Sequence, residues 1–112
     1  RRQQIAHQYN EAFKDLPVVV QEMSNGLNHN YHKYVVRFED KDTRNCVKTA
    51  LNASIHYETP LSANSMYDSL KCRRDACIAS KTASNTILSL PVHTWLTEDE
   101  ISTTITKLKE SI

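Results

Sequence analysis

The residues of this sequence with the clearest chemical potential are His56 and Tyr57, an imidazole and a phenol side by side. Each combines an apolar ring with a group that can hydrogen-bond to a ligand. They follow Ile55 in a predicted short strand of residues 54–57, just before Pro60. Strand alternation would turn one of the two side chains toward the core and the other outward. From the spacing alone, a purely structural role for the pair is the alternative to a ligand site.

Other motifs with recognisable chemistry are weak. His29 with His32, and Cys72 with Cys77, are the nearest approaches to metal-ligand pairs, but neither belongs to an established zinc pattern. Gly26 is the only glycine, which excludes a glycine-rich phosphate loop. We therefore expect solvated histidines, packed cysteines and no metal.

The composition describes a small globular protein. The 112 residues are 39% hydrophobic and 24% charged, with a net charge of +1. A chain of this length suits a single domain spanning 1–112. It has no apolar run of the ~20 residues that cross a bilayer, and its charge does not favour nucleic acid. Three cysteines without framework spacing indicate reduced thiols. We predict a cytoplasmic protein with no membrane or nucleic-acid partner.

The N-terminal segment predicts a helix that ends near Pro17, because proline disfavours helical geometry in the residue before it. Its apolar stripe has helical spacing: Ile5, Tyr9, Phe13 and Leu16. The helix is already under way at Arg1 without a capping residue. This indicates that the sequence is a fragment whose helix begins upstream, a trimmed tag or processed leader being the alternative.

Further elements follow from local signals. Alternation predicts a strand over 31–38, with His32, Tyr34, Val36 and Phe38 on one face and Tyr31 on the other. Short apolar runs predict strands at 18–20 and 87–90, besides the one at 54–57.

Three more helices are expected. The first is capped by Asp42 and closed by a left-handed Asn52, and the second begins at Asp75. The third is opened by a capping box of Thr97 and Glu100, with Leu96 packing on Ile101. Their predicted inner faces are Cys46, Val47, Ala50 and Leu51; Ile78, Thr82 and Ala83; and Ile101, Ile105, Leu108 and Ile112. The fold class is then α+β: a small antiparallel-type sheet of three to four short strands with helices packed on one face. A loop from Glu58 to Arg74, with a helical turn around 65–70, would carry function or cover a neighbour.

In order and spacing, these blocks resemble the C-terminal domain of sugar-nucleotide aminotransferases of the DegT/StrS family. Residues 1–17 are similar to its connecting helix, 31–37 to its central strand and 42–51 to the helix that follows. Ile55-His56-Tyr57, Pro60-Leu61 and Tyr67 are similar to its substrate loop. Residues 87–93 and 96–100 resemble its closing strand and last helix.

The resemblance implies one part of a two-domain, dimeric transaminase. A missing large domain would hold pyridoxal phosphate and its Schiff-base lysine, so these 112 residues alone would be inactive. His56 and Tyr57 would bind a nucleotide-sugar by hydrogen bonds to phosphate or sugar hydroxyls, often in the neighbouring subunit's active site. Tyr31 and His32 are weaker substrate-binding candidates near the same cleft.

Two departures from the family's substrate loop bear on the substrate. Glu58 stands where the family usually has proline, and Ser62 where it often has histidine. A carboxylate at Glu58 would repel a diphosphate unless it points away. The alternative function is a stand-alone α+β binding or regulatory module without catalysis, because fold does not fix function.

Overall fold

The structure, a computed structural model, describes residues 1–23, 27–67 and 77–112. Over these ranges the chain forms four helices and three strands. The helices are α1 (Arg2–Phe13), α2 (Lys41–Leu51), α3 (Ile78–Thr86) and α4 (Glu98–Glu110); the strands are β1 (Val19–Val20), β2 (Tyr34–Arg37) and β3 (Ile87–Leu90). Two 3₁₀ turns, Leu61–Ala63 and Ser65–Tyr67, lie between α2 and α3. No helix in the described ranges is long and apolar enough to cross a membrane.

The strands form one antiparallel sheet in the order β1-β2-β3. Tyr34 lies opposite Leu90 and Val36 opposite Leu88, and all four side chains are buried. Alternate positions point to the other face, where Ser89 is only half-buried. Buried residues of α1, α2 and α4 join the first face in one core. The α+β fold class, with helices on one face of a short-stranded sheet, is therefore confirmed.

Helix α1 contributes two aromatic rings, Tyr9 and Phe13, to the core. Its buried stripe is the predicted one, Ile5, Tyr9 and Phe13, and Leu16 packs on the same core after the helix has ended. The Tyr9 ring stacks on Phe13 at a centroid distance of 5.6 Å and meets Tyr34 at 5.0 Å. The Tyr34 hydroxyl donates a 2.7 Å hydrogen bond to Asn10 Oδ1. This bond satisfies the polar end of a buried ring.

The second strand is shorter than predicted. It begins at Tyr34, and the residues before it are not extended: Tyr31 has φ of +46°, in the left-handed region. This turn reverses the expected alternation, so that Tyr31 is buried while His32 is exposed. From Tyr34 through Phe38 the predicted burial pattern is confirmed.

The predicted strand at 54–57 is wrong. These residues have no partner among the described strands, and a strand without a ladder leaves its backbone groups unpaired. Asn52 adopts the expected left-handed cap, with φ of +48°, and turns the chain away from α2. Ala53 and Ile55 then pack against the core, but His56 and Tyr57 are both exposed. The expected division of that pair between core and solvent is also wrong.

Two further predictions, both about α2, are wrong. Its cap is Asp40, whose side chain accepts a 2.8 Å hydrogen bond from the Thr43 backbone N–H, and not Asp42. Cys46 is exposed, whereas Arg44 and Val47 are buried. A cationic side chain thus occupies the inner face, where sequence alone favours an apolar one.

The last two helices differ in how well they were predicted. In α3, Ile78 and Thr82 are exposed rather than inward, and Ala83 is half-buried. The predicted start at Asp75 and part of the turn around 65–70 lie outside the described residues. In α4 the capping box is confirmed, and Leu96, Ile101 and Leu108 belong to the core with Ile105 packed against it. Ile112, predicted on the inner face, is outside the core and 38% exposed.

Candidate functional site

The segment of residues 53–60 carries His56 and Tyr57 across the surface between α2 and the first 3₁₀ turn. The left-handed Asn52 directs the chain out of the helix, and Ile55 anchors the segment on the core. Pro60 precedes the 3₁₀ turn, which begins at Leu61. The side chains of His56 and Tyr57 are consequently both accessible to a ligand, with Tyr57 60% exposed.

His56 and Tyr57 line different cavities. His56 lines a cavity of about 260 Å³ that also contains four other basic side chains: Arg2, His32, Lys33 and His93. We call it the cationic cavity; Ser89 and residues 90–92 complete its wall. Tyr57 lines a cavity of about 400 Å³, here the apolar cavity, formed mainly by the segment after it and by α3.

The four predicted site residues are therefore only partly brought together. His56 and His32 share the cationic cavity, whereas Tyr57 lies in the apolar one. Tyr31 is buried in the core, with its ring 4.5 Å from that of His29 and 6.0 Å from that of Tyr34. Its backbone N–H donates to His29 Nδ1 at 2.8 Å. Tyr31 supports the turn that presents His32 and is not among the residues that line either cavity.

The sequence did not single out Arg2, Lys33 or His93 as site residues. Arg2 comes from α1, whereas Lys33 and His93 converge because β2 and β3 are antiparallel, with Tyr34 opposite Leu90. The residues just before Tyr34 consequently lie beside those just after Leu90. The block that ends in His93 was visible in the sequence, but its proximity to Lys33 depends on strand register.

The charged residues described in the lining of the cationic cavity are all basic. No carboxylate is among the described residues that line it, and the ion pairs within the described part of the chain involve other cations, Arg1 and Lys14. Arg2 Nε is buried, and no described atom accepts a hydrogen bond from it. An unsatisfied buried donor costs about 1–3 kcal/mol. The cavity thus offers donors and positive charge with no carboxylate in its described lining, although Glu100 of α4, outside that lining, interacts electrostatically with His93.

Glu58 and Ser62 do not line the cationic cavity. Glu58 is exposed and lines a cavity of about 490 Å³ at the C-terminal end of α2, together with Lys48. Ser62 lines the apolar cavity. The acidic group that the sequence places two residues after His56 therefore belongs to a different concavity.

The described residues do not fit a resident metal or pyridoxal phosphate. They contain no group of three His, Cys, Asp or Glu side chains that could hold a metal ion. Pyridoxal phosphate needs a lysine and a carboxylate for its pyridine nitrogen, and the cationic cavity has Lys33 without a described carboxylate. Lys48 and Glu58 share their cavity with no described arginine or histidine for the phosphate. The arrangement around His56 is suited to binding an anion.

With this fold and site, the chain belongs to the DegT/DnrJ/EryC1/StrS aminotransferase family, whose sequence profile matches residues 1–109. No curated protein matches the sequence significantly.

Solved structures share the fold over nearly the whole chain. A DegT DnrJ EryC1 StrS aminotransferase from Brucella abortus is 29% identical, with a TM-score of 0.82, and the match covers 97% of this chain and 30% of that protein. A Streptococcus pneumoniae protein described as a sugar aminotransferase, Spr1654, in its PMP form, is 21% identical with a TM-score of 0.86, covering 98% and 30%. The aminotransferase TlmJ from Streptoalloteichus hindustanus is 20% identical with a TM-score of 0.80, also covering 98% and 30%. The chain therefore spans about 30% of the length of these relatives.

Proposed function

We propose that this chain is the C-terminal domain of a pyridoxal-phosphate-dependent aminotransferase that aminates a keto-sugar carried on a nucleotide. The observation that carries the proposal is the family match over residues 1–109. The relatives of known structure include a protein described as a sugar aminotransferase, solved in PMP and PLP forms. In this proposal, residues 1–16 end a helix that connects to a large domain, and the protein acts as a cytoplasmic homodimer.

The residues of this chain contribute ligand contacts. His56 donates a hydrogen bond to a phosphate or sugar hydroxyl of the nucleotide-sugar, and His32 acts from the same cavity. The Tyr57 phenol is exposed at the edge of the apolar cavity, where its ring can pack against the ligand and its hydroxyl can reach a polar group. Tyr31 lines neither cavity and acts only through the position of His32. Pyridoxal phosphate, held by the large domain, supplies the electron sink for amino-group transfer.

The cofactor assignment is tested by absorption spectroscopy on the intact protein. A lysine-bound cofactor gives a visible band that borohydride reduction removes, whereas a protein of residues 1–112 gives none. The reaction is tested by incubating the intact protein with an amino donor and nucleoside-diphosphate keto-sugars, with mass spectrometry of the products. An intact protein with neither the band nor an aminated product would contradict the proposal and favour a binding module.

A further inference from the structure

Basic side chains from four separate segments meet at the cationic cavity. Arg2 comes from the first turn of α1, His32 and Lys33 from the turn before β2, and His56 from the segment after α2. His93 comes from the connection between β3 and α4. Such convergence from positions far apart in sequence is a property of the fold and not of a local charge run.

No ion pair among the described residues involves Arg2 or Lys33 of the cationic cavity. Arg1 donates to the Leu96 carbonyl at 2.8 Å and pairs with Glu98 at 2.8 Å. Its neighbour Arg2 has no such partner among the described residues, and its buried Nε has no acceptor there. Lys33 likewise takes no part in an ion pair within that part of the chain. Two permanent cations therefore face one small cavity.

The three imidazoles do not form a metal site. Although His32, His56 and His93 all line the cavity, no trio of potential ligands among the described residues is placed to hold a metal ion. Imidazole, guanidinium and ammonium groups can all donate hydrogen bonds to an oxyanion. The shared chemistry of the five side chains is recognition of an anion with several oxygens.

We infer that the cationic cavity binds the phosphoryl oxygens of the ligand, with Arg2 and Lys33 as the residues that set its affinity. The cavity, at about 260 Å³, is smaller than the ~300–1,000 Å³ of pockets that enclose a whole ligand. It accordingly takes the charged group, and the rest of the ligand extends beyond it. The identity of the natural ligand, a nucleoside diphosphate-linked sugar, rests on the proposed function. Binding of a phosphoryl group by the cavity does not, and it can be measured separately.

The inference is tested by calorimetric titration of the intact protein with inorganic pyrophosphate at neutral pH, where we expect binding to the wild type. Lys33→Ala should weaken it about tenfold or more, the effect of one charge-assisted hydrogen bond, and Arg2→Gln should act similarly. Lys48→Ala, which removes a half-buried lysine from another cavity, should not. Thermal unfolding of each variant shows that the fold is kept, and Lys33→Arg should retain binding if Lys33→Ala does not fold.

A competition experiment shows whether the phosphoryl group of a nucleotide occupies the same cavity as pyrophosphate. Uridine diphosphate should displace pyrophosphate, and uridine should not. Equal pyrophosphate affinity in the wild type, Lys33→Ala and Arg2→Gln would overturn the inference. Amination without this phosphoryl binding would refute the cavity assignment alone. Pyrophosphate binding by a protein without aminotransferase activity would refute the proposed function alone.

Discussion

The Tyr9 hydroxyl donates a 3.0 Å hydrogen bond to the carbonyl oxygen of Pro91. Tyr9 is fully buried in α1, and Pro91 is part of the wall of the cationic cavity. Burial raises the pKa of Tyr9 to about 12, so the hydroxyl remains a donor throughout the neutral range. This bond ties the core directly to the strand end that carries His93.

Removing that hydroxyl should destabilise the protein. We expect Tyr9→Phe to lower the free energy of unfolding by about 1 kcal/mol, because the Pro91 carbonyl loses its partner while the ring stays in place. Urea denaturation measures the change, with Tyr57→Phe as a control because Tyr57 is 60% exposed. Equal losses in the two variants would show that the buried bond has no special role.

A second prediction concerns Arg44, which is 2% exposed. Its Nη1 donates to the carbonyls of Ser84 at 3.5 Å and Ile87 at 3.4 Å, and its Nε donates to Asn45 Oδ1 at 2.9 Å. The guanidinium thereby joins α2 to the end of α3 and the start of β3. Arg44→Ala should cost roughly 2–4 kcal/mol of stability, through both the lost hydrogen bonds and the cavity left behind.

Two companion variants separate the contributions at Arg44. Arg44→Lys should recover only part of the loss, because an ammonium cannot reproduce the planar fork. Arg37→Ala, on the exposed end of β2, should change stability by less than about 0.5 kcal/mol. A fully stable Arg44→Ala variant would contradict the bridging role.

The acid dependence of stability should show the contribution of Glu100. Hydrogen bonds from the Thr97 backbone and hydroxyl lower the pKa of Glu100. A carboxyl group with a lowered folded-state pKa stabilises the fold above its unfolded pKa, and this contribution disappears as pH falls through the folded value. The stability difference between wild type and Glu100→Gln should thus be largest near neutral pH and shrink as the pH falls below 4.5, the group's ordinary pKa. Denaturation at a series of pH values measures it; a difference that stays constant from neutral pH into acid would refute the linkage.

Local signals predicted the elements that depend on local chemistry. The capping box of α4 and the left-handed Asn52 are confirmed, because each depends on residues within a few positions. The strand at Ile87–Leu90 is also confirmed, and it pairs with β2. The strand predicted at 54–57 failed because a strand depends on a partner that local alternation does not reveal. Arg44 was missed because its partners lie in α3 and β3, far along the chain.

The candidate site was likewise predicted only in part from the sequence. The sequence singled out His56 and His32, which do share a cavity. It also paired His56 with Tyr57, yet the chain direction after Asn52 places these neighbours in separate cavities. Arg2 and Lys33 could not be assigned in advance, since their proximity follows from helix packing and from strand register.

The most direct test of the proposed function uses His56→Ala in the intact enzyme, assayed for amination of a nucleotide-linked keto-sugar. The account predicts a KM for the sugar nucleotide raised about tenfold, as for the loss of one charge-assisted hydrogen bond, with the cofactor's absorption band unchanged. Because His56 is exposed, the thermal midpoint should stay close to that of the wild type. An unchanged KM in a folded, cofactor-loaded His56→Ala enzyme would contradict the role assigned to this residue.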